Sequence, residues 1–156
     1  MNPLRLTGLA LLVATMSCGD AIGPKHTTDL EAAHERWRAQ NLHTYAFTIQ
    51  RSCFCGNVHP LYVLVLSDTV AGALDLETGE WVDRQLGETV ESLFTFIQNA
   101  IDRPAQLIRA EYDASKGFPT EIDYDGEARI ADDEISYRVS DVHSVSPQVA
   151  RVLASP

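Results

Sequence analysis

Hydrophobic positions along the chain switch between a spacing of three to four residues and a spacing of two, and each switch marks an element. Leu30, Ala33, His34 and Trp37 share a helical face behind Thr28-Asp-Leu-Glu31, a capping-box pattern, so a helix is predicted over residues 29–40. Between His43 and Gln50 the period becomes two, with Tyr45, Phe47 and Ile49 on one face of a half-buried strand. Leu61 to Leu66 is apolar throughout and rich in strand formers, as expected where both faces of a strand are covered. Thr69 to Leu76 can pair back onto it, and Glu77-Thr-Gly-Glu80 reads as the next turn.

Thr89 then caps a second helix whose stripe is Val90, Leu93, Phe94, Ile97 and Ile101, and Asp102-Arg-Pro104 ends it. Three more strands follow at Leu107–Asp113, Thr120–Asp125 and Glu134–Val142, the first two joined by the turn residues Ala114-Ser-Lys-Gly-Phe-Pro119. Ser146-Pro147 opens a short terminal helix carrying Val149, Val152 and Leu153. The order α-β-β-β-α-β-β-β groups strands in blocks, which favours antiparallel pairing. The expected fold is α+β, an antiparallel sheet of about six strands with two helices on one face. Trp37, Leu64, Phe94 and Ile97 are predicted core, Tyr45, Tyr112 and Tyr137 core or core edge. Trp81, extended after a turn, is predicted to be exposed and to serve binding.

The N-terminus follows a different rule. Arg5 precedes an apolar run from Leu6 to Met16, which is too short for the ~20 residues a spanning helix needs. Ser17-Cys18 closes the run and resembles a bacterial lipobox, with Thr15 standing where such boxes prefer Leu. The expected organisation is a lipoprotein signal peptide over residues 1–17, a lipidated Cys18 and tether over 18–27, one α+β domain over 28–143, and a C-terminal tail or short helix over 144–156. The expected location is the bacterial cell envelope, on the exported side, with palmitate-type acyl chains on Cys18 as the membrane anchor.

Charge narrows the partners. Losing residues 1–17 removes one of the 12 basic residues and none of the 22 acidic ones, so the formal charge moves from −10 to −11. Nucleic acid is excluded as a partner, because phosphate binding needs a basic face. Anionic headgroups would repel the domain, leaving the lipid anchor and an envelope protein as the expected partners.

Several segments together resemble a bacterial lipoprotein family catalogued as domain of unknown function 6174. They are the Trp37 helix, the strand Thr44-Tyr-Ala-Phe-Thr-Ile-Gln-Arg-Ser-Cys-Phe-Cys55, and the helix start Thr89-Val-Glu-Ser-Leu-Phe94. Glu111-Tyr-Asp113, Gly117-Phe-Pro-Thr120 and Asp132-Asp-Glu-Ile-Ser-Tyr137 complete the set, spanning residues 29–141. The resemblance implies an exported or lipid-anchored domain and supplies no activity and no catalytic residues.

Cys53-Phe-Cys55 is the most unusual local pattern. Residues i and i+2 on a strand lie near the upper limit for a disulfide, and a bend at Gly56-Asn57 would shorten the span, so an oxidising compartment favours a local structural bridge. The alternatives are a redox-active pair, or a copper(I) or zinc site made with His59, for which the sequence nominates no fourth ligand. Glu121, Asp123, Asp125, Gly126 and Asp132 superficially match a calcium loop, but Glu stands first, Asp stands last and Pro119 occupies the entering-helix position. A strand with its acidic residues in water is the better reading. His34 is read as a packing residue of the first helix. No nucleophile elbow, zinc-protease motif or phosphate loop is present, so no catalytic residue and no cofactor is assigned. The expectation is a non-enzymatic binding or structural module of the envelope; the alternative is a small metal-handling, redox or hydrolytic protein using Cys53, Cys55 and His59.

Overall fold

The computed structural model describes residues 24–54, 59–103, 105–126 and 132–153. A 16-residue helix α1 (Pro24–Ala39) leads into β1 (Thr44–Cys53), β2 (Leu61–Leu66), β3 (Thr69–Asp75) and a two-residue β4 (Trp81–Val82). A single 3-10 turn, Arg84–Leu86, precedes α2 (Val90–Asp102). Then come β5 (Leu107–Tyr112), β6 (Pro119–Asp125), β7 (Ile135–Ser144) and α3 (Pro147–Leu153). The strands form one seven-stranded sheet, β4-β3-β2-β1-β7-β6-β5, with every pairing antiparallel. The fold is α+β, as expected.

β1 joins the two halves, pairing with β2 on one side and β7 on the other. The first block of strands runs from the centre outward and the second from the far edge inward. The repeated element order is therefore not a repeat in space.

One sheet face carries the core. Tyr45, Phe47 and Ile49 alternate along β1, opposite Val65, Val63 and Leu61 on β2, and all are buried. Leu30, Ala33 and Trp37 of α1 pack on them with Val90, Leu93, Phe94 and Ile97 of α2. The Trp37 ring meets Tyr45 edge-on at 5.3 Å between centroids. α2 is also tied by hydrogen bonds. Thr89 Oγ1 accepts from Ser92 N–H at 3.0 Å, Ser92 Oγ accepts from Thr89 N–H at 2.9 Å, and Val90 N–H donates to the Tyr45 hydroxyl at 3.1 Å. Burial pushes that phenol up to about 12, so it stays neutral beneath the helix start.

Four details correct the expectation. The sheet has seven strands, not six, because Trp81–Val82 pairs with β3; two residues are too few to show a period. A third helix lies on the opposite face, where Ala150 seals Ala46 and Leu64 in a second apolar cluster. The apolar residues expected to build that helix, Val149, Val152 and Leu153, face solvent, and small Ala150 makes the contact. Lastly, α1 starts at Pro24, inside the segment read as tether, so Thr28 lies within the helix and not at its start. Proline suits a first helical position, since its missing N–H has no partner there anyway.

The β5–β6 turn is seated directly on α1. Asp113 Oδ1 accepts from the N–H groups of Ser115 (2.9 Å) and Lys116 (2.6 Å), which hold its carboxyl below the usual range. Gly117 adopts φ +87°, and a β-carbon there would overlap the Ala33 carbonyl oxygen and sit 2.8 Å from Arg36 Cβ. Only glycine satisfies both demands. Gly117→Ala is expected to cost at least ~2 kcal/mol and Phe94→Ala ~3–5 kcal/mol in denaturant unfolding. A loss under ~1 kcal/mol for either would contradict the packing described.

Candidate functional site

Cys53 ends β1 opposite Ile135 of β7, and Phe54 beyond it projects into solvent, 85% exposed. Cys55 lies outside the described residues, as does Cys18, so neither the predicted bridge nor the predicted lipidation site is described. The chain returns at His59 and Pro60, and Pro60 C=O accepts from Leu76 N–H at 2.9 Å. The β1–β2 loop and the β3–β4 turn therefore close the same end of the sheet.

Between them lies Asp75, a charged residue only 4% exposed. The register places it opposite Leu61 and in phase with inward-facing Ala73, so the pleat points its side chain away from water. A carboxylate in that position needs donors for both oxygens. Oδ1 accepts from the N–H groups of Glu77 (2.8 Å) and Thr78 (3.1 Å), and Oδ2 accepts from His59 Nδ1–H at 2.8 Å. The Asp75 backbone adds two more bonds, donating to Glu80 C=O at 2.9 Å and accepting from Gly79 N–H at 2.8 Å. Burial raises the Asp75 carboxyl, but the His59 bond and the two turn amides outweigh it and leave it below its ordinary 3.8. His59 is raised above its ordinary 6.5, first by its bond to Asp75, with the charges of Asp75 and Glu77 adding to it.

On its other side His59 borders a shallow hollow lined by Arg51, Leu86, Glu88 and Tyr137. Burial raises the Tyr137 phenol and the Glu88 charge adds to this, while a hydrogen bond with Arg51 opposes both. Glu88 is held by Ser92 Oγ at 2.6 Å and so belongs to the start of α2.

An aspartate behind Nδ1 is the orienting half of an acid–base dyad. The second half would be a nucleophile at Nε2, but Glu77 Oε2 stands there at 3.4 Å. A carboxylate in that place favours imidazolium over a base ready to take a proton. The arrangement is a latch between two loops. Among the described residues no group of three or more His, Cys, Asp and Glu side chains is arranged to hold a metal.

The remaining candidates separate cleanly. His34 packs as expected, stacked on Phe94 at 4.2 Å, and its Nε2 also meets Glu91 at 2.7 Å. Glu121 and Asp123 lie on β6, both paired with Arg138 of β7 at 2.8 and 3.3 Å, which fits the strand reading over the calcium loop. Trp81 is 44% exposed and lies over Gly72, where a β-carbon would come within 2.7 Å of its ring. Asp75, Glu77, Arg51 and Glu91 were not picked out by sequence. For Asp75 a signal existed: an acid in phase with the inward positions of β3.

The latch has a defined pH sign. A raised histidine contributes stability that is complete below about 6.5 and lost as pH climbs through the raised value. The lowered Asp75 contributes above about 3.8 and is lost as pH falls through its own depressed value. The latch is therefore strongest in mild acid. In an NMR titration Asp75→Asn should shift the His59 midpoint down toward the ordinary value, whereas an unchanged midpoint would mean the pair is not coupled in solution.

No curated protein and no solved structure matches the chain. Residues 29–144, from the first buried turn of α1 to the end of β7, match the model of a family of unknown function (DUF6174), and the chain belongs to that family.

Proposed function

We propose that this chain is an exported, lipid-anchored domain of the bacterial cell envelope that works as a non-enzymatic binding module, presenting the latched end of its sheet to an envelope protein. The observation that carries the binding role is the fixed exposure of apolar side chains at that end. Trp81 is held over Gly72, Leu76 is 48% exposed beside the latch, and Phe54 extends from the end of β1. Exposed aromatics on ordered backbone are the usual anchors of protein interfaces, because little entropy is lost when they are covered. The acidic net charge disfavours anionic lipid and nucleic acid as the contacted surface. A disulfide between Cys53 and Cys55 would brace Phe54 outward, and its short loop lies outside the range where loop length predicts stability.

The anchor reading rests on the apolar run ending at Ser17-Cys18. Acyl chains there would hold an otherwise membrane-repelled domain at the surface. The alternative is a metal, redox or hydrolytic role for Cys53, Cys55 and His59; carboxylates at both His59 nitrogens favour imidazolium over a metal ligand or a base.

Two outcomes are expected. Cys18→Ser should move the protein from the detergent-extractable membrane fraction to the soluble one, and retention in membranes at high salt would refute the lipid anchor. A photo-crosslinker at position 54 should trap one discrete envelope protein, and Trp81→Ala should abolish the adduct while leaving the circular dichroism spectrum unchanged. An adduct indifferent to Trp81, or none at all, would refute the binding surface.

A further inference from the structure

The sheet has two edges of different character. At one, β4 is two residues long and runs straight into the 3-10 turn. At the other, β5 offers six residues with no strand beyond it among the described residues. Open edges are templates for another strand unless something blunts them. β5 has no proline and no bulge in its first five residues, and its inward side chains Ile108, Ala110 and Tyr112 line a small hollow with Ile97 and Ile101 of α2 and Asp29 of α1.

The charges on the outer face of β5 determine what can pair there. Arg109 and Glu111 flank Ala110 and contact each other at 2.9 Å along the strand. Across β6, Arg109 faces Asp123, a favourable pair, but Glu111 faces Glu121, and like charges directly opposite are destabilising. Glu111 thus has no cation directly opposite on β6, and among the described residues no strand pairs with its outer side.

We propose that the β5 edge pairs antiparallel with β5 of a second copy of this chain, about a two-fold axis through Ala110. In that register Arg109 of each copy lies opposite Glu111 of the other, so both carboxylates gain a cross-strand cation. Ile108 of each copy lies opposite Tyr112 of the other on the inward face, extending the apolar layer beneath α2. Neighbouring two-fold registers fail on the same residues. An axis through Arg109 opposes two guanidinium groups, one through Glu111 opposes two carboxylates, one between 109 and 110 sets Ile108 against Glu111, and one between 110 and 111 sets Arg109 against Tyr112. The edge is self-complementary in one register.

One strand buries less than the ~1,200 Å² of a stable interface, so the dimer is weak and concentration-dependent. This inference does not rest on the lipid anchor or on the loop-end binding surface, which lies at another part of the sheet.

Sedimentation velocity of the full chain in non-ionic detergent, over a wide concentration range, tests it. Wild type should show reversible dimers. Arg109→Glu and Glu111→Arg should each weaken association by about tenfold or more, because each creates two like-charge pairs. The double reversal, Arg109→Glu with Glu111→Arg, should restore it. Circular dichroism should show all three folded, with Arg109→Glu slightly less stable because it sets a carboxylate opposite Asp123 and Glu111→Arg no less stable because it faces Glu121. As an independent check, Ala110→Cys should give an oxidised dimer band absent from wild type. A monomer at every concentration, single reversals without effect, a double reversal that fails to rescue, or no such band would each overturn the proposal.

Discussion

A buried carboxylate organises one end of this molecule. Asp75 sits where the β3 pleat points inward, and a charge there is tolerable only if hydrogen bonds replace its water. The two amides it caps set the path of the β3–β4 turn, and that turn delivers Trp81 back onto β3 above Gly72. The remaining oxygen takes His59, which fixes where the β1–β2 loop rejoins the sheet. Two separate stretches of chain therefore depend on one side chain, and a mildly acidic medium suits both members of the pair.

Elsewhere the architecture follows from unequal treatment of the two sheet faces. α1 and α2 cover the centre of one face, where β1 supplies Tyr45, Phe47 and Ile49. The opposite face is divided. Its half over β1 and β2 is apolar and covered by α3, while its half over β5, β6 and β7 carries the Arg109, Glu111, Glu121, Asp123 and Arg138 charges. Exposed ion pairs of this kind contribute little to stability, and their value lies in solubility and in selecting what may approach.

Most of the fold was legible because its strands alternate cleanly. Tyr45, Phe47 and Ile49 announce both β1 and its buried face, and Thr89 with its downstream stripe announces α2, whose cap has the expected hydrogen bonds. What escaped was either too short to carry a period, like Trp81–Val82, or decided by competition between local signals, like the start of α1. Pro24 opens the helix ahead of a plausible cap at Thr28. α3 was legible as a helix, yet its packing was not, because the close approach to Leu64 admits Ala150 and leaves the larger Val149 and Val152 outside.

The candidate site was half legible for a related reason. The Cys53–His59 stretch stood out as a sequence pattern, but the meaning of His59 depends on Asp75, sixteen residues away, and on register. His34 and Glu91 are 57 residues apart and pose the same difficulty. Pairings like these come from tertiary geometry that no local pattern encodes. Amide hydrogen exchange on wild type and Asp75→Ala tests most directly whether the buried carboxylate holds this end together. Fast exchange is expected at Glu77, Thr78 and Gly79 in the variant, with protection along β1 and β7 retained. Unchanged protection at those three amides would contradict it.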